Sequence, residues 1–406
     1  MGPKRRFQAT PYLAVTVGHL TIDVFNSMGP VLVAFLRQPM ALSAAQVGLA
    51  VGSYQFLAGV TQPPFGFLAD RIGSRWLGPS SLVWTIGFVA LAVFAADAVG
   101  SYWLFLGLFA IGALGSGAFH PQGTMHASRA IAGRAATTTA IFFLCGQIGL
   151  AGGPAMTGAL LERVGPKGVY WLAVLALPTV VLMALGLRST KPSPHPHLEQ
   201  ARGRESRDGG SAGVVALLVV IFTCRGWTTI GTSAFLPAIF AEAGFSPTYY
   251  GLVTGLFWLG AGFSGVAAGH VADRLGRRPV VAVTTLLGAV LLVPLPVVGA
   301  GWAFALAFLT GGFLGAAHSI LIVMAQSFLP VRQGLASGLA LGYLFGIGAV
   351  ASVLIGLLAD RWGLVPVIQA GAARGLLAAL LTVLLPASRH EAGQDDPGVA
   401  PEAASV

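Results

Sequence analysis

The chain has 406 residues, 55% of them hydrophobic and 9% charged, with 56 glycines and a net charge of +9. Such a composition excludes a soluble globular domain. The basic residues are scattered in short groups between apolar segments, which excludes a nucleic-acid-binding stripe and points to a membrane protein.

The N-terminus, "MGPKRRFQAT", leads into a long apolar run without a small-residue cleavage site and reads as a retained first helix. Crossing a hydrocarbon core of ~30 Å takes about 20 apolar residues. Segments of that kind are expected near 11–36, 46–69, 76–95, 102–126, 135–161 and 169–187. Six more are expected near 214–241, 248–271, 279–298, 302–328, 333–359 and 365–386. Between the sixth and seventh lies a stretch rich in Pro, Gly, Ser and charge, which reads as a linker. The expected organisation is an N-terminal six-helix bundle (1–187), a cytoplasmic linker (188–213), a C-terminal six-helix bundle (214–390) and a disordered cytoplasmic tail (391–406). Cys145 and Cys224 fall inside apolar segments without metal or redox spacing and read as packing residues.

Seventeen lysines and arginines lie in the termini, the linker and the loops on one side of this arrangement, against four in the alternate loops. The bias predicts that both termini are cytoplasmic, in a multi-pass protein of the cell's inner membrane. The halves also repeat. "GFLADRIGSRWLG" from Gly66 recurs as "GHVADRLGRRPVV" from Gly269, an offset of 203. "GAFH" at Gly117–His120 matches "GAAH" at Gly315–His318, Arg134 matches Arg332, and "GALLERVG" from Gly158 matches "GLLADRWG" from Gly356. These share an offset of 198. The fold class is therefore all-α integral membrane, twelve transmembrane helices as two pseudo-symmetric six-helix bundles.

The repeated loop, Gly66, Asp70, Arg71, Gly73 and Arg75, then Gly269, Asp273, Arg274, Gly276 and Arg277, resembles the signature of the major facilitator superfamily of transporters. Within that superfamily, "GHLTIDVFNS" (Gly18–Ser27) and "GSGAFHPQGTMHASR" in the fourth span are similar to the fosmidomycin-resistance family of drug exporters. "GLAGGPAMTG" (Gly149–Gly158) partly resembles the Gly-Pro motif of antiporters, departing from it after the proline. A proline-kinked helix with a glycine packing face would explain it equally well. Physically, the loop motif suits a conformational latch. Glycine permits close helix approach in lipid, and a carboxylate at a helix–loop junction can accept backbone N–H bonds or pair with arginine in one state and release in the other.

Of the fourteen acidic residues, only Asp23 lies deep in a span. A charge there costs roughly 2.5–3.5 kcal/mol on the insertion scale, so it faces a cavity and takes a partner. Thr16, His19, Asp23, Asn26 and Pro30 share one helical face. The resemblance implies that the first, fourth, seventh and tenth spans line a central cavity. They carry His19 and Asp23, His120, Arg225, and His318. Asp23, His19 and His120 are expected to couple protons. Arg225, Asn26, Gln55, His318, Tyr54 and Trp227 are expected to contact substrate, although core packing would also account for Tyr54, Trp227, Trp258 and Tyr343. Under the 203 offset Arg225 corresponds to Ile22, which suggests that Arg225 faces Asp23 across the pseudo-twofold axis. His126 reads as structural, His270 as interfacial, and Arg374 is left without a role. Trp76, Trp103, Trp171, Trp302 and Trp362 read as an interfacial belt.

The expected function is proton-coupled efflux of a small anionic or amphiphilic compound, such as a phosphonate antibiotic, by rocker-switch alternating access. The partners are substrate, protons and the lipid bilayer, in a monomer with no cofactor beyond the proton gradient, no metal and no enzyme activity. Import of a small anionic metabolite by symport or facilitated diffusion is the alternative. An intramembrane metalloenzyme or receptor using His19, Asp23 and His120 is a remoter one.

Overall fold

The computed structural model describes residues 9–131, 134–188, 211–329 and 333–386. Most of the expected linker, the 391–406 tail, Arg332 and the side chain of Asp70 lie outside the described residues. Among those described, every regular element is helical. In chain order they are α1 (Ala9–Arg37), α2 (Ala44–Val60), α3 (Gln62–Ile72), α4 (Ser74–Asp97), α5 (Tyr102–Arg129), α6 (Ala135–Val164) and α7 (Gly168–Gly186). There follow α8 (Ala212–Gly226), α9 (Thr232–Glu242), α10 (Pro247–Leu275), α11 (Arg277–Leu292), α12 (Ala300–Phe328), α13 (Gln333–Trp362) and α14 (Leu364–Val383). A π-helical turn, Trp227–Gly231, joins α8 to α9 within one span.

Among the described residues nine helical stretches are long and apolar enough to cross a bilayer, and one of them, Thr137–Gly186, spans most of α6 and all of α7. The other two expected spans fall short for local reasons. The second breaks at Thr61 into α2 and α3, because Pro63 and Pro64 remove two backbone donors and clash with the preceding turn. The ninth, α11, ends at Leu292 just ahead of Pro294 and Pro296. The five tryptophans of the expected belt are all exposed near helix ends.

Among the described residues the halves meet mainly through three helix pairs: α2 with α13, α6 with α10, and α1 with α9. The first two are one interface used twice. Cβ atoms built on Gly48 and Gly52 of α2 would stand 2.1 and 2.8 Å from the carbonyl oxygens of Ser352 and Ala349. At the repeat-related positions, Gly251 and Gly255 of α10 stand 2.5 Å from those of Pro154 and Ala151. Gly59 meets Phe345 as Gly262 meets Gln147. No side chain fits these rows, which is why both carry glycine where lipid supplies no hydrophobic drive between helices.

The halves part further along the same rows. Gly66 meets only Pro121 of its own half, and Gly269 meets nothing within 4 Å. At the opposite end polar clasps hold them together. Asp360, at the end of α13, accepts from the backbone N–H groups of Ala44 (2.6 Å) and Ala45 (3.0 Å) at the start of α2. Glu162, at the end of α6, accepts from the Thr248 N–H (2.9 Å) at the start of α10. The two carboxylates are repeat mates, each seated on the positive end of a helix from the other half. Arg37 at the end of α1 pairs with Glu242 at the end of α9.

The motif loops owe their glycines to backbone conformation. Gly73 and Gly276 adopt φ +79° and +88° with extended ψ, a region essentially closed to other residues, and each starts the following helix.

Candidate functional site

The site is built on α1, whose polar stripe turns into the first half between α5 and α6. His19, one turn before Asp23, places its Nε2 3.2 Å from Asp23 Oδ2. From α5, His120 places its Nε2 3.5 Å from Asp23 Oδ1. Asn26, one turn on, donates from Nδ2 to Oδ1 (2.8 Å), and the Tyr54 hydroxyl of α2 donates to Asn26 Oδ1 (3.0 Å). His19 also stacks on Phe142 of α6, ring centroids 4.0 Å apart, and meets His120 edge-on at 5.2 Å.

Glycine again sets the distance. A Cβ at Gly146 would stand 2.4 Å from His19 Cε1 and 2.7 Å from Asp23 Oδ2. One at Gly149 would stand 2.3 Å from the Leu20 carbonyl, and one at Gly153 2.2 Å from Ser27 Oγ. The "GLAGGPAMTG" run thus brings α6 against α1 where the carboxylate lies.

Backbone acceptors assign the tautomers. A carbonyl oxygen only accepts, so His19 Nδ1, 2.8 Å from the Phe142 carbonyl, carries its proton; so does His120 Nδ1, 2.8 Å from that of Ser116. Each ring therefore turns its remaining nitrogen to Asp23. An ionised carboxylate then needs at least one imidazolium, while a protonated one can donate to a neutral ring. A single proton gained or lost changes the net charge of the cluster by one and changes which Nε2 donates. His19 and Asp23 side chains are 3% and 7% exposed, whereas His120 is 20% exposed. His120 is where the cluster opens. The same three groups offer one ligand atom each within 4.8 Å of one another, a spacing a metal ion could also span.

The other expected residues are dispersed. Tyr54 is buried and serves Asn26. Gln55 is half-buried, with its Oε1 lacking a partner. His318, the repeat mate of His120, is exposed. Trp227 lies in the π-helical turn under the Arg374 guanidinium, 4.2 Å from ring centroid to Cζ.

Arg225 corrects the expectation that it faces Asp23. It is buried in the second half and donates to Thr285 Oγ1 and to the Leu314 carbonyl (2.6 Å). Among the described residues no carboxylate lies within ion-pair reach of it. The reason is helical phase: Arg225 aligns with buried Ile22, and one residue is about 100° of rotation from Asp23. The true mates of Asp23 and His19 are Gly226 and Phe222, so the ionisable cluster exists in one half only.

Sequence reasoning missed Glu162 and Asp360, which it left among the loop and end residues. Their signal was present in the paired "GALLERVG" and "GLLADRWG" segments. The Phe142 carbonyl that fixes His19 left no signal, because it is main chain.

The fold and this buried cluster define a membrane transporter of two related halves. The family model for the Major Facilitator Superfamily matches residues 15–223 and 216–404. The chain belongs to that superfamily. It is 27% identical over 385 residues to the fosmidomycin resistance protein of Escherichia coli, covering 93% of each chain. It is also 27% identical to an uncharacterised MFS-type transporter of Bacillus subtilis, again covering 93% of each. Among solved structures it resembles a bacterial homologue of the lysosomal transporter Spinster in an inward-facing, unoccupied conformation (TM-score 0.74, 16% identity, 94% of this chain and 97% of that one). It also resembles a D-xylose–proton symporter (TM-score 0.75, 15% identity, 93% and 97%). These last two likenesses concern the fold. The chain is a multi-pass membrane transporter of small molecules, and not an enzyme.

Proposed function

We propose that this transporter is a proton-coupled exporter of small anionic or amphiphilic compounds, phosphonates among them, working in the inner membrane by alternating access. The observation that carries the reading is the buried Asp23 carboxylate between two imidazoles, each with its Nδ1–H committed to a backbone carbonyl. Such a cluster has acid–base capacity and no fixed counter-charge, which suits a group that must load and release a proton. His120, the most open member, passes the proton between cavity and carboxylate, and His19 holds the carboxylate in place. The substrate class and the efflux direction are supported by the likeness to the fosmidomycin resistance protein of E. coli.

With the motif loops and both termini on the cytoplasmic side, as the lysine and arginine bias predicts, the described conformation is open inward and clasped outward. In the opposite state the Glu162, Asp360 and Arg37 clasps release, and the Asp70 and Asp273 latches close. Asp273 is exposed and makes no ion pair among the described residues in the present state, consistent with a latch that is undone. Substrate contacts fall to the less buried groups, Asn26, Gln55 and His318, while Arg225 braces the second half. Proton carriage is preferred to metal binding because Asn26 already donates to the carboxylate oxygen that faces His120.

Inside-out vesicles containing the protein, tested with radiolabelled fosmidomycin, decide direction and coupling. Acidifying the lumen should drive accumulation inside the vesicles, and an uncoupler should abolish it. Accumulation that ignores the pH gradient, or that runs outward along with the protons, contradicts the proposal.

A further inference from the structure

Arg374 stands ten residues from the start of α14 and nine from its end, about 15 Å from either at 1.5 Å per residue. That is further than an arginine side chain reaches to water by extending along a helix. It adjoins a lipid-type face, since Ala370, Ala373, Leu377 and Leu380 of α14 are all exposed. The guanidinium folds back over Trp227, and its one hydrogen bond among the described residues, to the Ala370 carbonyl, is long at 3.4 Å. Among the described residues no carboxylate pairs with it. Beside it the Trp227 indole Nε1–H is buried and has no acceptor. One turn before Trp227, the hydroxyls of half-buried Thr223 and exposed Tyr343 meet at 2.7 Å. The π-helical turn at 227–231 is itself an irregularity of a kind that recurs at functional sites.

A guanidinium at half depth stays charged and needs acceptors; Arg225 has the Thr285 hydroxyl and the Leu314 carbonyl, whereas Arg374 has one long hydrogen bond. Here the cation–π contact holds it without neutralising it, and an unsatisfied donor lies alongside. We propose that Arg374 and Trp227 form a binding site for the headgroup of a single-chain amphiphilic anion, a phosphate, phosphonate or carboxylate whose apolar tail lies along α14. Such a site gives amphiphilic substrates an approach from the bilayer, separate from the Asp23 cluster. It does not depend on Asp23 carrying the proton.

The test uses the purified full-length protein in a neutral maltoside detergent, titrated with dodecyl phosphate and, as a tail-matched control, dodecyltrimethylammonium. Dodecyl phosphate should raise the thermal midpoint of the wild type and of Asp23→Asn alike, and the cation should not. Arg374→Gln should weaken the response at least tenfold. Trp227→Phe, which keeps the guanidinium and loses the N–H, should weaken it about threefold. Equal responses from wild type and both variants, or an equal response to the cation, overturn the site. Because Asp23→Asn keeps the response, failure of this site and failure of the proton assignment are read separately.

Discussion

His120 differs from its two partners in exposure, and that difference assigns it a separate job. If it passes protons to a carboxylate that His19 holds, His120→Gln should slow proton-driven fosmidomycin transport more than tenfold while substrate–substrate exchange changes less than threefold. Paired flux measurements in proteoliposomes would check the split, and equal loss of both would make His120 a binding residue. Tyr54→Phe removes one hydrogen bond to Asn26, worth about 1 kcal/mol net, and should reduce transport by less than tenfold without abolishing coupling. At this scale the sequence was informative where chemistry is rare. A lone midspan acid with a histidine at i−4 and an asparagine at i+3 was legible from spacing alone. The surroundings of Arg225 were not, because a one-residue shift in repeat alignment turns a side chain by about 100° and sent the expectation that it meets Asp23 to the wrong face.

Of the helices around the cluster, α5 stays within its own half, while α1 meets α9, α2 meets α13, and α6 meets α10. Under the proposed alternating access, a change of charge at Asp23 is thus applied next to the contacts between halves. The glycines of α6 make this possible, and they differ in a way that can be measured. Gly149→Val forces a side chain into a carbonyl 2.3 Å away, while Gly152, three residues on, has nothing within 4 Å. Gly149→Val should cost about 1–3 kcal/mol as overpacking and lower the thermal midpoint or yield of purified protein. Gly152→Val should change neither, and equal effects would show that close approach of α1 and α6 is not required. Element positions were readable from hydropathy over most of the chain. They failed at Thr61 and Leu292, where nearby prolines end a helix inside an apolar run, and at Trp227–Gly231, a π-helical turn packed against α13 and α14 that hydropathy does not register.

Across the whole molecule the duplicated sequence is a duplicated interface. The clasps of Glu162 and Asp360 are exposed, so each is worth about 0.3–1 kcal/mol, but they act on the same equilibrium. Glu162→Gln with Asp360→Asn should shift the population toward the outward-open state by up to about thirtyfold. Spin labels at the outer ends of α2 and α13 would report a longer distance population, and an unchanged distribution would remove the clasps from the gate. The two-half architecture was visible from the repeats at offsets 203 and 198, whereas the conformation was not, since the repeats carry the same glycines at Gly66 and Gly269, where the halves part, as along the packed rows. The most direct test of the central claim is substrate-driven proton movement in proteoliposomes loaded with a pH-sensitive dye, using fosmidomycin and comparing wild type with Asp23→Asn. The account predicts that Asp23→Asn keeps fosmidomycin exchange and loses the proton signal; an Asp23→Asn protein that moves protons with substrate as the wild type does would contradict it.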